Sequence, residues 1–164
     1  MRRQRAIWTA SHGTREFSIL RGAIKMVKLL IGRKGSGKTK HMIQLANDRI
    51  EKSDGSVVFI NKDHRLMYDL KYKIRVVCME EYEEITNSDE YIGFLYGIIS
   101  SDHDIEVIFI DSILKHADIE IKDLPEFLSR LKKISEKYGI EMIVSISATI
   151  EEIGDIASQY EILN

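Results

Sequence analysis

The sequence predicts an α/β fold in which helices cover both faces of a mostly parallel sheet of five to six strands. Apolar runs such as 27–31, 107–110 and 142–146 are continuous rather than alternating, which is typical of strands buried on both faces. Between them lie segments whose apolar residues recur at helical spacing, as in 38–52. A chain of 164 residues is the size of one domain, so a single covered sheet accounts for these patterns.

Strands and helices are predicted to alternate from residue 27 onward. A turn at 53–56 separates the first helix from the second strand. The run at 74–79 is expected near a sheet edge. The predicted strands are 27–31, 57–60, 74–79, 107–110, 142–146 and 160–163, and the predicted helices are 38–52, 87–100, 124–138 and a short one near 150–157.

Two helices carry capping signals at their starts. Asn87 is followed three residues later by Glu90, which is the spacing of a capping box. Asp123 is followed in the same way by Glu126, and this helix is expected to end at Gly139. Its predicted buried face comprises Leu124, Phe127, Leu131, Ile134 and Tyr138.

Charge is unevenly distributed along the chain. Residues 1–25 hold six basic residues and one acid, a net charge of +5, so the whole-chain charge of −2 leaves −7 for 26–164. We expect 1–25 to be a disordered N-terminal extension and 26–164 to form the domain. An acidic domain without a basic stripe argues against a nucleic-acid partner.

Cysteine content and hydropathy indicate a cytoplasmic protein without a membrane partner. Cys78 is the only cysteine, so no internal disulfide forms, and its apolar neighbours predict a core position. No run approaches the roughly 18 apolar residues that a membrane span requires. The histidines at positions 12, 41, 64, 103 and 116 show no metal-ligand spacing and are expected at the surface.

The strongest motif is GRKGSGKT at 32–39, which matches the pattern G-x-x-x-x-G-K-[ST] in full. Glycines let successive backbone N–H groups surround phosphate oxygens, and a helix beginning near Gly37 adds the positive end of its dipole. Lys38 is predicted to contact the β- and γ-phosphates of a nucleotide, and the Thr39 hydroxyl to bind Mg²⁺. The predicted nucleotide-binding residues of this loop are Gly32, Arg33, Lys34, Gly35, Ser36, Gly37, Lys38 and Thr39.

A carboxylate at the end of a buried strand supplies the second part of the predicted site. Asp111 ends the segment EVIFID, and beside a phosphate loop such an Asp binds Mg²⁺ directly or through water. Taken alone, the same residue is equally well explained as the cap of a turn. Ser147, after the strand at 142–146, is a candidate for contact with the γ-phosphate or the attacking water, or else a surface-turn serine.

GRKGSGKT, VIFID and EMIVSIS, in this order, resemble the RecA-type branch of P-loop ATPases over about residues 26–163. More closely, the chain resembles small, uncharacterised bacterial P-loop ATP-binding proteins, some of them labelled after the pilus-retraction (twitching motility) ATPases. The acidic and histidine boxes of the pilus-retraction enzymes have no counterpart here. The resemblance implies a three-layer P-loop NTPase fold that binds ATP and Mg²⁺.

The resemblance does not identify the acid that orients the attacking water. Many P-loop ATPases carry a Glu directly after the metal-binding Asp, whereas Ser112 follows Asp111 here. Others of the RecA type carry it after the second strand, where Asp63 is the nearest substitute. Glu80 and Glu81, after the third strand, are alternatives.

We therefore expect a slow or partner-activated ATPase in which Lys38, Asp111 and Asp63 are catalytic and Thr39 and Asp111 hold the metal. RecA-type domains commonly complete their site with a neighbour's basic residue, so a homo-oligomer or a protein partner is expected. The alternative is a non-enzymatic, nucleotide-dependent switch. A small-molecule kinase is less favoured, because Arg130 is the only arginine after residue 75 and no Arg-rich lid is visible.

Overall fold

The computed structural model of the chain describes residues 26–164, so the disordered extension predicted for 1–25 lies outside the described residues. The described strands are β1 (Val27–Gly32), β2 (Ser56–Asn61), β3 (Arg75–Cys78), β4 (Ile105–Ile110), β5 (Glu141–Ser147) and β6 (Glu161–Ile162). The described α-helices are α1 (Lys38–Lys52), α2 (Ser88–Ser101), α3 (Ile113–His116), α4 (Leu124–Tyr138), α5 (Ile150–Ile153) and α6 (Ile156–Gln159). Short 3₁₀ turns span His64–Leu66, Met79–Glu81 and Ile121–Asp123.

The six described strands form one sheet in the order β3-β2-β4-β5-β1-β6, and every neighbouring pair is parallel. This confirms the predicted α/β class and the predicted number of strands. β3 lies at one edge, as expected for the run at 74–79. The strand β5 lies between β1 and β4, so the two strands that carry the predicted motifs are not direct neighbours.

Helices cover both faces of the sheet because alternate residues of each strand point to opposite sides. On one face, Met42 and Ala46 of α1 pack against residues such as Phe59, Phe109 and Ile143. On the other face, α2 and α4 pack against the intervening residues of the same strands. The central strands are therefore buried on both sides, which explains their continuous apolar runs.

The start of α2 follows its sequence signal, with one difference. Asn87 accepts a hydrogen bond from the Glu90 N–H at 3.0 Å, as a capping residue does. The Glu90 carboxylate accepts from the Thr86 N–H at 2.6 Å rather than from Asn87. The reciprocal half of the predicted box is therefore shifted by one residue.

Three other local predictions were wrong. Asp123 makes no side-chain cap, because a 3₁₀ turn precedes α4 and already gives Asp123 near-helical angles (φ −94°, ψ −7°). Tyr138 is 42 % exposed, and its ring packs edge-on against Tyr96. The short helix near 150–157 is two single turns, α5 and α6, separated at Gly154 with φ 59°.

Among residues 26–164, no helix combines the length and the apolar character that crossing a bilayer requires.

Candidate functional site

The carboxyl ends of β1, β4 and β5 meet at one edge of the sheet because these strands are parallel. β1 leads into a glycine-rich loop at 32–37, β4 leads into Asp111, and β5 ends at Ser147. Gly32 lies directly opposite Ser147 in the strand register. The motifs that the sequence places far apart are thus brought to one edge.

The glycine-rich loop turns the chain from β1 into α1. Gly35 and Gly37 adopt φ angles of 82° and 87°, a left-handed region that residues with a side chain rarely adopt. The Ser36 N–H donates to the Arg33 carbonyl at 3.1 Å and closes the turn. Because Gly37 directly precedes the 15-residue helix α1, the loop presents the positive end of that helix at the sheet edge. The loop is exposed along Arg33, Lys34, Gly35, Ser36 and Gly37.

Lys38 folds back over this loop. Its ammonium group donates to the Gly32 carbonyl at 2.7 Å, to the Arg33 carbonyl at 2.9 Å and to Ser36 Oγ at 3.5 Å. Partial burial lowers the pKa of Lys38, an effect that Asp111 opposes and Lys115 reinforces. The ammonium group is therefore positioned at the mouth of the loop, where it can bind an anion together with the loop N–H groups.

Thr39 and Asp111 are in direct contact although 72 residues separate them. The Thr39 hydroxyl donates to Asp111 Oδ2 at 2.9 Å. Asp111 is buried, and its backbone N–H donates to the Ile60 carbonyl at 2.9 Å, which fixes the end of β4 against β2. Two hard oxygen donors are thus held together beside the loop, as a magnesium site requires.

Ser145, on β5, completes this arrangement and was not predicted. Its fully buried hydroxyl donates to Asp111 Oδ1 at 2.5 Å and accepts from the Ser112 N–H at 2.7 Å. Ser112 itself has φ 59°, an uncommon angle for a residue with a side chain. The hydrogen bonds from Ser145 and Thr39 together occupy both oxygens of the Asp111 carboxylate.

A cleft of about 980 Å³ opens at this edge and continues along the exposed face of α1. Its near end is formed by the glycine-rich loop, Ser112, Lys115 and Ser147. Its far end reaches the segment after β2, which Asn47 fixes to α1 by bonds to the Asp69 carbonyl and the Lys71 N–H, both at 2.9 Å. The far end is lined by Ile43, Gln44, Asn47, Asp48, Leu66 and Asp69.

The three acids nominated for water activation, Asp63, Glu80 and Glu81, are not among the described residues that line the cleft. Asp63 accepts from the Arg65 side chain at 2.6 and 2.9 Å, and these bonds lower the pKa of Asp63 to about 2, which makes it a weak base. Glu81 is paired with His64 at 2.7 Å. The cleft instead contains two acids that the sequence did not single out, Asp48 and Asp69.

His116 also differs from its predicted surface position. It is buried at the end of α3, and within residues 26–164 neither ring nitrogen has a hydrogen-bond partner. Burial lowers the pKa of His116 to about 4, which nearby Asp111 opposes and Lys115 and Lys62 reinforce. The ring is therefore neutral at physiological pH.

Ser145 left only a weak sequence signal, a polar residue inside an otherwise apolar strand. Asp48 and Asp69 left none, because exposed acids on a helix and in a turn are ordinary.

No protein-family model matches this chain, and no curated protein matches its sequence. The functional assignment below consequently rests on the motif, the strand order and the contacts of Asp111.

Proposed function

We propose that this chain is a P-loop NTPase of the RecA type that binds Mg-ATP between the glycine-rich loop and Asp111. The observation that carries the proposal is the contact between Thr39 Oγ1 and Asp111 Oδ2 at 2.9 Å, beside Lys38. Adjacent ligands of an octahedral Mg²⁺ at 2.0–2.1 Å lie about 2.9 Å apart, so both oxygens fit neighbouring positions around one ion. The exposed loop and the positive end of α1 fit the phosphates.

Different residues would bind the phosphates and the metal ion. The loop N–H groups and Lys38 would hold the β- and γ-phosphates, with the Lys38 ammonium exchanging the Gly32 and Arg33 carbonyls for phosphate oxygens. Bound Mg²⁺ would neutralise charge on the phosphates. Ser145 keeps the Asp111 carboxylate in place, and Ser147 lies beside the loop at the mouth of the cleft.

Hydrolysis is proposed to be slow or to need a partner, because no suitable acid is near Lys38 in the described cleft. Asp48 lies ten residues further along α1 than Lys38, which at 1.5 Å per residue is about 15 Å, and the Asp69 carbonyl is bonded to Asn47, nine residues further along. An acid at that distance cannot orient a water molecule on the γ-phosphate. A second copy of the chain or a protein partner would supply the missing group.

The lack of a suitable acid near Lys38 in the described cleft also favours a second candidate, a nucleotide-dependent switch that binds ATP without turnover. In that case the segment after β2, whose Leu66 and Asp69 line the far end of the cleft, is the part that a partner would contact. A small-molecule kinase is the third outcome that the experiment below distinguishes.

The test measures nucleotide binding and phosphate release together on the purified full chain. We expect Mg-ATP to bind, and we expect Lys38→Ala and Asp111→Asn to weaken binding at least tenfold. Lys133→Ala and Asp54→Asn, both at exposed positions outside the cleft, are matched controls and should bind like the wild type. No detectable Mg-ATP binding would reject the proposal.

Phosphate release decides between the candidates. Slow release that is lost in Lys38→Ala indicates an ATPase, and binding without release indicates the switch. Transfer of phosphate to an added hydroxyl compound indicates a kinase.

A further inference from the structure

Three side chains from separate segments meet at the edge of the sheet, outside the cleft. His64 lies in the 3₁₀ turn after β2, Cys78 ends β3, and Glu81 lies in the turn that follows. Cys78 Sγ is 3.2 Å from His64 Nδ1, and Glu81 Oε1 is 2.7 Å from His64 Nε2. One ligand atom from each residue lies within 4.8 Å of the other two.

We propose that His64, Cys78 and Glu81 form a zinc-binding site whose fourth position is open to solvent. Thiolate, imidazole and carboxylate are the ligand types that zinc takes in proteins, and three protein ligands with one open position is a recurring arrangement.

The observed distances are close to those of a zinc centre. With zinc–ligand distances of about 2.0–2.3 Å, tetrahedral ligands lie roughly 3.3–3.8 Å apart. The Cys78–His64 separation of 3.2 Å is therefore already close to this range. Glu81 contacts the other ring nitrogen, Nε2, so its side chain, which is 52 % exposed, would have to leave that contact to bind an ion held at Nδ1.

Burial and charge also suit a cation at this position. Cys78 is 4 % exposed and forms a buried wall, whereas the half-exposed His64 and Glu81 leave a path for an ion to enter. Thiolate and carboxylate together neutralise the two charges of Zn²⁺. The nearby carboxylates of Asp63 and Glu80 add a negative field.

Zinc at this site would add a link between the segment after β2 and the end of β3, which are already joined by strand pairing and by a bond from the Glu80 N–H to the Lys62 carbonyl at 3.0 Å. His64 belongs to the segment that continues into Leu66 and Asp69, which line the far end of the cleft. Cys78 and Glu81 belong to the edge strand β3 and the turn after it. The ion would therefore fasten the far wall of the cleft to the sheet edge.

The test uses the metal-free full chain without nucleotide. Zn²⁺ is titrated in competition with a chromophoric chelator, and Co²⁺ is titrated separately to look for a thiolate-to-cobalt charge-transfer band. Because Cys78 is the only cysteine of the chain, such a band can come from no other residue. We expect one equivalent of Zn²⁺ to bind and one equivalent of Co²⁺ to give the band.

Variants assign the ligands. Cys78→Ser and His64→Gln should weaken zinc binding by more than the roughly 10–100-fold that loss of a second-shell partner costs. Glu81→Gln should weaken it at least tenfold, while Glu136→Gln and His103→Gln, both exposed and outside the cluster, serve as matched controls and should bind like the wild type. Far-ultraviolet circular dichroism of each metal-free variant checks that it is folded.

Two results would overturn the proposal. The first is a wild-type chain that does not compete with the chelator for zinc or gives no thiolate band with cobalt. The second is zinc binding that survives Cys78→Ser unchanged, which would place the ion elsewhere. In either case the three side chains form only a hydrogen-bonded chain, with the thiol and the carboxylate on opposite nitrogens of the imidazole.

Discussion

Replacing Ser145 by Ala tests how the Asp111 carboxylate is held. The substitution removes one hydroxyl from a fully buried position and changes little else in volume. It removes the bond to Asp111 Oδ1 and also the bond from the Ser112 N–H. We expect both a loss of stability and a loss of Mg-nucleotide affinity, because the same carboxylate serves the fold and the proposed metal site.

The magnitude follows from the two bonds. A hydrogen bond to a charged group contributes about 1.5–3 kcal/mol, and leaving a buried N–H without a partner costs about 1–3 kcal/mol. Because Ser112 is only partly buried, water can replace part of the second bond. The expected loss in free energy of unfolding is therefore about 2–4 kcal/mol, a large share of the 5–15 kcal/mol that holds a typical domain.

Urea unfolding of the full chain measures this loss, and Ser135→Ala is the matched control. Ser135 is equally buried, but its hydroxyl donates to the neutral Ile140 carbonyl, away from the cleft, so a loss nearer about 1 kcal/mol and normal Mg-nucleotide binding are expected. In an Asp111→Asn background, Ser145→Ala should cost at least about 1 kcal/mol less than in the wild type, because the charged acceptor is gone. If the two substitutions are additive within about 0.5 kcal/mol, the proposed support of Asp111 by Ser145 is refuted.

Three further predictions concern His116, Asp63 and Tyr91. His116 is protonated below about pH 6.5 in the unfolded chain but only near pH 4 in the folded one, so in urea unfolding a change from pH 8 to pH 5 should destabilise the wild type by about 2 kcal/mol relative to His116→Leu. The exposed His103→Gln is the control and should leave this pH dependence unchanged. If the free energy of unfolding depends on pH equally in the wild type and in His116→Leu, the burial argument is contradicted. The low pKa of Asp63 gives a stabilisation that is complete above about pH 4 and is lost as the pH falls towards 2, so the difference in free energy of unfolding between the wild type and Asp63→Asn should shrink over that window. Phosphate release at pH 7 should be the same in both proteins. A large drop in phosphate release in the variant would support Asp63 as the catalytic acid. Tyr91 has a buried hydroxyl without a partner in residues 26–164, so Tyr91→Phe should raise the melting temperature or leave it unchanged, and a clear decrease would reveal a missed hydrogen bond.

The sequence was most informative where local chemistry decides the structure. Helix α1 spans the predicted residues 38–52, because its start is set by the glycine-rich loop and its buried face by a regular apolar spacing. The central strands were predicted within one or two residues, since strands buried on both faces leave continuous apolar runs. Asn87 was found as a cap because its partner lies three residues away.

Predictions were weaker where contacts between distant segments decide the outcome. Asp63 is predicted as the water-activating acid because it follows a strand, whereas the pairing with its own neighbour Arg65 and its absence from the described cleft lining depend on contacts that no spacing shows. The cluster of His64, Cys78 and Glu81 was invisible because no spacing in the sequence shows that β2 and β3 are paired in parallel. Burial of His116 depends on how α3 packs, which a single helical turn does not reveal.

The position of β5 explains why Ser145 matters and why a motif search misses it. Thr39 follows β1 and Asp111 follows β4, and β5 lies between these two strands. The contact between Thr39 and Asp111 therefore spans the end of β5. The buried Asp111 carboxylate at this place needs a hydrogen-bond donor from β5. Ser145 is that donor, and it lies two residues before the strand ends at Ser147. The two motifs identify the groups that are proposed to bind Mg-ATP, whereas their joint geometry depends on the Ser145 hydroxyl in a third segment, which no sequence motif marks.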